Sequence, residues 1–348
     1  MASKSTQKQV VKAPVKTVVK PAAKAKAPVA AKVVASAKAA PKAAPKASPK
    51  SKPASKLHPG LAAPIRVFQI YYEPWHRDLL DPAFVPLDNA GAKSELLEFS
   101  VFERLQAHEA TQGAQLWGAL SWRFGEKTGM KGADLLEAMA ANPGHDVYFC
   151  NPHIQNEAIY HNMWMQGETA HPHFVALTRA VFQAAGLDEA EIGALHPSSS
   201  YSSANYFVAS PKFWALYVPF IRRVLKAADD NLSPTLRNAL HSTAADPKGL
   251  HGGATYVPFI VERLFGYFMR TEGKGLKAHK VPLLAREAEL NVHQKLLRDM
   301  KDVAHSTKSA WLAACWVNYR NLYLNQTNSE AWCAQYLRLI TPTDVRFV

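Results

Sequence analysis

The sequence predicts an α/β protein built on a mostly parallel sheet flanked by helices. Three observations predict it. Between residues 65 and 150, short β-branched and aromatic runs alternate with segments of helical periodicity, the order that builds parallel sheets. The chain beyond residue 60, about 290 residues, is long enough to bury a sizeable core. The apolar run Val147 to Cys150 opens into a polar, histidine-dense stretch, 145–173, which holds five of the 14 histidines. A buried strand that ends in titratable side chains is where α/β proteins put ligand sites.

The elements follow in order. Ile65 to Tyr72 reads as a first strand, stopped by Pro74. Asp81-Pro82 and Pro86-Leu87-Asp88-Asn89 carry turn chemistry. Ser94 and Glu98 with Leu96, Val101, Phe102 and Leu105 predict a helix to about Ala110. Leu116 to Phe124 is a second strand containing Gly118, and a helix from Ala133 to Ala141 leads to the strand at 147–150, released by Asn151-Pro152. Pro172 starts an amphipathic helix, His173 to Ala185, which Gly186 ends. Ser202 to Ala209 is a further strand. Ser210-Pro211 caps a helix from Lys212 to about Ala228, and 229–254 is a polar connection with Gly252-Gly253 in it. Tyr256 to Met269 is a strongly apolar helix carrying Glu262 and Arg263, a side-chain pair more often structural than chemical. Lys277 to Leu284 is a last strand. From 286 the periodicity is helical, at about 286–303, 309–325 and 329–340. Three units are expected: a tail at 1–60, an α/β domain at 61–285 and a C-terminal helical appendage at 286–348.

Charge divides the chain sharply. Residues 1–60 hold 14 Lys and no Arg, Asp or Glu, so the net +13 of the whole belongs to this tail. The remaining 27 basic residues nearly balance 28 acidic ones. Lys/Ala/Pro low complexity without aromatics predicts disorder, and its charge predicts adhesion to a polyanion, either nucleic acid or an anionic membrane surface. The tail's composition resembles the lysine-rich tails of linker histones and bacterial histone-like proteins. Cys150, Cys315 and Cys333 are too few and too scattered for a disulfide framework. No apolar run reaches membrane-span length, and the N-terminus lacks a signal-peptide core. A cytoplasmic protein is expected, with peripheral attachment at the inner membrane face through the tail.

The body has no Gly-x-Gly-x-x-Gly, P-loop, Gly-x-Ser-x-Gly or His-Glu-x-x-His, which argues against several common enzyme classes. Two candidate sets remain in the histidine-rich stretch. His153, Glu157 and His161 stand four residues apart, one face of a helix, and suit zinc or manganese. The competing reading is a solvated helix edge. Glu168, in a Gly-hinged turn, and His171, beside a helix N-terminus, form a candidate catalytic pair with Glu168 as base. The competing reading there is capping of exposed backbone groups. Arg123, with Trp117 and Trp122, forms an aromatic and basic strand end suited to a base or sugar ring, or to core packing.

Taken together, Arg66–Tyr72, Pro86–Asn89, the helix containing Glu95, Trp117–Phe124, Asp146–Pro152, Asn205–Trp214 and Phe259–Phe265 resemble the glycosyltransferase-like proteins of bacterial capsule and lipopolysaccharide gene clusters. The resemblance covers residues 65–284. It implies a GT-A-type, nucleotide-sugar-binding fold, a nucleotide-sugar donor and a glycan or lipid-linked acceptor. It sets Tyr71, Asp88, Asn89, Arg123 and Asn151 toward the donor. Where the family's fold carries an Asp-x-Asp motif for Mg²⁺ or Mn²⁺, this chain reads Cys150-Asn151-Pro152-His153. A diphosphate clamp needs hard oxygen ligands. The chain is therefore metal-independent, or uses Asn151 and His153 as unusual ligands, or has lost activity. The rival reading is a non-catalytic, nucleic-acid-associated protein. A third is a histidine/carboxylate metal hydrolase.

Overall fold

The computed structural model describes residues 58–244, 252–342 and 345–347. Nearly all of the lysine-rich tail lies outside the described residues. The strands are β1 (Ile65–Tyr71), β2 (Val85–Asp88), β3 (Leu116–Ser121), β4 (Val147–Phe149), β5 (Ala194–Leu195), β6 (Phe207–Ala209), β7 (Ala278–Lys280) and β8 (Arg346–Phe347). The helices up to the middle of the chain are α1 (Glu98–Gln106), α2 (Phe124–Thr128), α3 (Gly132–Ala141), α4 (Ile154–Ile159), α5 (Met163–Ala170), α6 (Phe174–Ala185) and α7 (Ala190–Gly193). They are followed by α8 (Pro211–Asn231), α9 (Pro234–Leu240), α10 (Tyr256–Arg270), α11 (Leu284–Glu289), α12 (Val292–Thr307) and α13 (Ala310–Thr327).

Six strands form the central sheet in the order β2-β1-β3-β6-β4-β7. β1 runs parallel to β2 and β3, and β4 parallel to β7, while β6 is antiparallel to both of its neighbours. The sheet is thus mostly parallel, as expected, with one reversed strand that the run 202–209 did not announce. Successive side chains serve opposite cores. Phe68, Ile70, Phe149 and Phe207 enter a large cluster with residues of α1, α8 and α10. Val67, Leu120, Tyr148 and Val208 enter a second cluster with Leu135 and Met139 of α3. Burial on both faces explains why these strands read as continuous apolar runs. Gly118 is needed where β3 meets β6: a Cβ there would lie 2.4 Å from the Phe207 carbonyl oxygen.

Three segments differ from the sequence reading. Val85–Asp88, taken for turn chemistry, is an edge strand, where Pro86 is tolerated because one row of its backbone groups needs no partner. The polar stretch after β4 is helical, holding α4 and α5 rather than an open loop. The polar connection 229–254 contains α9, N-capped by Ser233; part of it, 245–251, lies outside the described residues.

The C-terminal helices do not stand apart. Lys301 of α12 donates to the Tyr160 carbonyl, Trp316 of α13 to the Ala158 carbonyl, and Arg320 to those of Ile159 and Ile340. Cations and an indole N–H thus satisfy carbonyls at the C-terminal end of α4, the end where unpaired C=O groups collect. The described residues form one packed unit. Among the described residues, no helix is long and apolar enough to cross a membrane.

Candidate functional site

The parallel strands end on one edge of the sheet. β1 has β2 on one side and β3 on the other, so the chain reverses its order of placement there, and the crevice between β1 and β3 is the position at which open α/β sheets bind ligands.

Aromatic rings line this crevice. His76 accepts from the backbone N–H groups of Tyr72 and Glu73 through Nδ1 and stacks on Trp122 at 4.0 Å. Trp75 packs edge-on against both rings and remains 57% exposed. Cations accompany them. The Arg77 guanidinium lies 5.4 Å from the Tyr71 ring centre and that of Arg123 5.8 Å from Trp122, while Lys127 lies 5.8 Å from Tyr206. Arg104 donates to Asn89 Oδ1.

Deeper in the crevice, Ser121 Oγ and the Tyr206 hydroxyl lie 2.8 Å apart. The charge of Glu98, the first residue of α1, adds to the burial that raises Tyr72, Tyr206 and Glu262. It follows Leu97, whose φ of 47° and ψ of −122° is a strained conformation for a non-glycine residue. Such strain persists only where surrounding structure enforces it, and it concentrates at functional sites.

Glu262 is the most perturbed acid of the crevice. Burial pushes its carboxyl up to about 7, with the Glu98 charge adding to the shift and Arg263 opposing it. A quarter of its side chain still reaches solvent (24%) although protein encloses it on most sides. Its neighbour Arg263 does not neutralise it. Arg263 donates to the carbonyls of Met163 (3.0 Å) and Phe259 (2.8 Å) and to Gln166 Oε1 (2.6 Å), and stands 3.6 Å from Glu262. Burial likewise raises Tyr72 and Tyr206, keeping both phenols protonated. A carboxyl poised near neutrality in a solvent-reaching crevice suits proton transfer.

Of the residues expected at the donor, four come together here. Tyr71 donates to Asp88 Oδ2 at 2.9 Å, and the Asn89 N–H donates to the Tyr71 carbonyl, also at 2.9 Å. The Ala90 N–H and then Tyr71 hold Asp88 below the usual carboxylate range. Arg123 forks onto Glu126 beside Trp122. Asn151 lies three strands away at the end of β4, where Ser203 donates to its Oδ1 at 2.8 Å and its Nδ2 donates to Glu157 at 2.7 Å.

The metal set does not converge, which corrects that expectation. His153 precedes α4, Glu157 lies within it, and α4 ends at Ile159, so His161 is carried off the shared helical face. Glu157 Oε1 takes Lys280 Nζ at 2.6 Å, and His161 is buried beside Arg320, His196 and Lys301, which with burial hold its imidazole neutral. Among the described residues no three His, Cys, Asp or Glu side chains are grouped to hold a metal ion. With Asn151 engaged at both amide atoms, this strand end does not fit a hard cation.

Glu168 and His171 also have structural work. Glu168 accepts from the N–H groups of His173 (3.0 Å) and Val175 (2.7 Å), capping the first turn of α6, whose entry residue His173 is left-handed at φ 71°. His171 is buried and stacks 3.8 Å from the Phe259 ring. The capping alternative describes Glu168; the catalytic one has no geometric support.

Sequence reasoning gave no site role to Glu98, Tyr72, Ser121, Lys127 or Tyr206, and took Glu262 for half of a structural pair with Arg263. One signal was present: Glu262 is the only acid in the apolar run Tyr256–Met269. Set against known proteins, the chain matches no family model, no curated protein and no solved structure.

Proposed function

We propose that this protein is a glycosyltransferase of the nucleotide-sugar-binding GT-A kind, acting in the assembly of a bacterial surface polysaccharide. The observation that supports the reading most is the crevice at the β1–β3 switch, where aromatic rings, cations and a carboxyl poised near neutrality are gathered. Trp75 offers a stacking face for a base. Arg77, Arg104, Arg123 and Lys127 supply positive charge for a diphosphate, as leaving-group stabilisation without a metal requires.

In this reading Glu262 takes the proton from the acceptor hydroxyl. The hydroxyl oxygen bonds to the anomeric carbon, the bond from that carbon to the diphosphate oxygen breaks, and the nucleoside diphosphate leaves with the electron pair. Glu98 raises the basicity of Glu262 and disfavours a second negative charge beside it. The test is thermal shift with nucleoside diphosphates, followed by sugar release from the donor that stabilises most. Ligand binding to the folded state raises the melting temperature by mass action. Failure of every nucleoside diphosphate to stabilise the protein would remove the reading.

The lysine tail, in the same proposal, holds the enzyme at an anionic membrane surface or anionic acceptor. Its binding to anionic vesicles is expected to weaken steeply with salt and to vanish on deleting residues 1–57. Tighter, tail-independent binding to nucleic acid would favour the non-catalytic alternative.

A further inference from the structure

The β4–β7 end of the same sheet edge carries a second concavity, of about 360 Å³, between α4, the turn at Ser198–Ser200, the residues after β7 and α12. This is within the range of ligand pockets, about 300–1,000 Å³. Its two sides differ in chemistry. Ile154, Val281 and Leu283 give it an apolar wall. The other side is polar and already braced. Glu157 Oε1 accepts from Asn151 Nδ2 and Lys280 Nζ, and Lys280 also donates to the Ser198 carbonyl at 2.7 Å. Asp302 accepts from the Ser198 N–H at 2.7 Å and from its hydroxyl. Arg298 forks onto Glu287 at 2.6 and 2.9 Å.

These bonds hold donors and acceptors in fixed positions while leaving lone pairs unused. Glu157 spends one oxygen on both of its partners, and its Oε2 has no hydrogen bond among the described residues. The lining has four carboxylates, Glu157, Glu287, Asp299 and Asp302, against Lys280 and Arg298. A phosphorylated or carboxylated ligand meets this negative excess, and a purely apolar ligand strands the polar side without partners. A ring with one C–H face and hydroxyls around its edge satisfies both walls.

We propose that this cavity binds a neutral sugar ring. Binding stands on the lining alone; the further assignment as the acceptor side of the transfer rests on the reading above. In support of that role, the cavity and the β1–β3 crevice lie along one sheet edge, with neighbouring strands spaced about 4.8 Å apart.

The test is saturation-transfer NMR on the full chain with glucose, galactose, mannose and N-acetylglucosamine as probes, and glucuronate as the charged comparator. At least one neutral sugar is expected to bind in the millimolar range, with glucuronate at least tenfold weaker. Ser199 sits exposed on the rim. Ser199→Trp fills the mouth and should abolish sugar binding with the melting temperature and nucleoside-diphosphate binding unchanged. Sugar binding that survives Ser199→Trp, equal binding of glucuronate, or no binding by any neutral probe overturns the proposal. Sugar binding that is lost in Ser199→Trp, in a protein no nucleoside diphosphate stabilises, upholds this site while the transferase reading fails.

Discussion

Two regions of this molecule are dense in titratable side chains, and they differ in what those side chains are bonded to. The stretch from His153 to His173 has the residue types of a catalytic or metal centre. Its groups have structural partners: Glu168 caps the first turn of α6 with both oxygens, His171 stacks on the Phe259 ring, and Glu157 gives one of its two oxygens to Lys280 and Asn151. The crevice at the ends of β1 and β3 is rich in titratable groups too, among them Tyr72, Glu98, Tyr206 and Glu262. Its central carboxyl, Glu262, has only a 3.6 Å contact with an arginine whose hydrogen bonds go elsewhere. The difference teaches that density of polar residues marks a site less well than the absence of structural partners for one of them. A side chain that already satisfies its fold has little left for a substrate.

The sharpest way to break the comparison is Glu262→Gln. Turnover of the nucleotide-sugar donor should fall by roughly 10²–10⁴-fold with nucleotide binding retained. Wild-type activity should rise as pH passes through about 7, where Glu262 becomes a base. Stability moves the other way. Because the fold raises this carboxyl above its ordinary value near 4.5, its contribution is complete below that value and is lost as pH rises through about 7. Melting curves of wild type and Glu262→Gln across pH 4 to 8 should show that slope only in the wild type. Equal turnover in the two proteins would leave the crevice without its base.

In the committed region the expected effects fall on stability. Glu157→Ala leaves Lys280 without its carboxylate in a largely buried setting and should cost about 2–4 kcal/mol in denaturant unfolding. Nucleoside-diphosphate affinity should stay at the wild-type value. Glu168→Gln weakens the cap on α6 and should cost about 1 kcal/mol, with turnover nearly intact. A loss of turnover approaching that of Glu262→Gln would return catalysis to the histidine-rich stretch.

The smallest effect concerns His241, which joins Glu95 through Nδ1 (2.9 Å) and Asp229 through Nε2 (3.0 Å). Burial opposes its charged form, but the hydrogen bonds to Asp229 and Glu95 outweigh it and raise its pKa. Its stabilising contribution is therefore complete below the ordinary histidine value and is lost as pH rises through the raised one. His241→Ala should cost no more than about 1 kcal/mol, and only on the acid side, because the pair is part-exposed. An equal cost at pH 6 and pH 9 would show that packing, not charge, sets its value.

Local chemistry made much of the scaffold legible. The runs at 65–72, 116–124 and 147–150 carry the β-branched and aromatic residues that strands buried on both faces need, and all three contain strands. Ser210-Pro211 and Gly186 bound helices where their backbone preferences require it. The reversal of β6 was not legible, because an apolar run has no direction until its neighbours are known. Nor was the site. Ser121 meets Tyr206 across 85 residues of chain, and Glu157 meets Lys280 across 123. Sequence determined which segments could be strand, helix or charged tail, since those follow from side chains a few residues apart. Tertiary structure alone decided which carboxylates were paired and which was left poised, since hydrogen-bond partners and burial are supplied by residues remote in the chain.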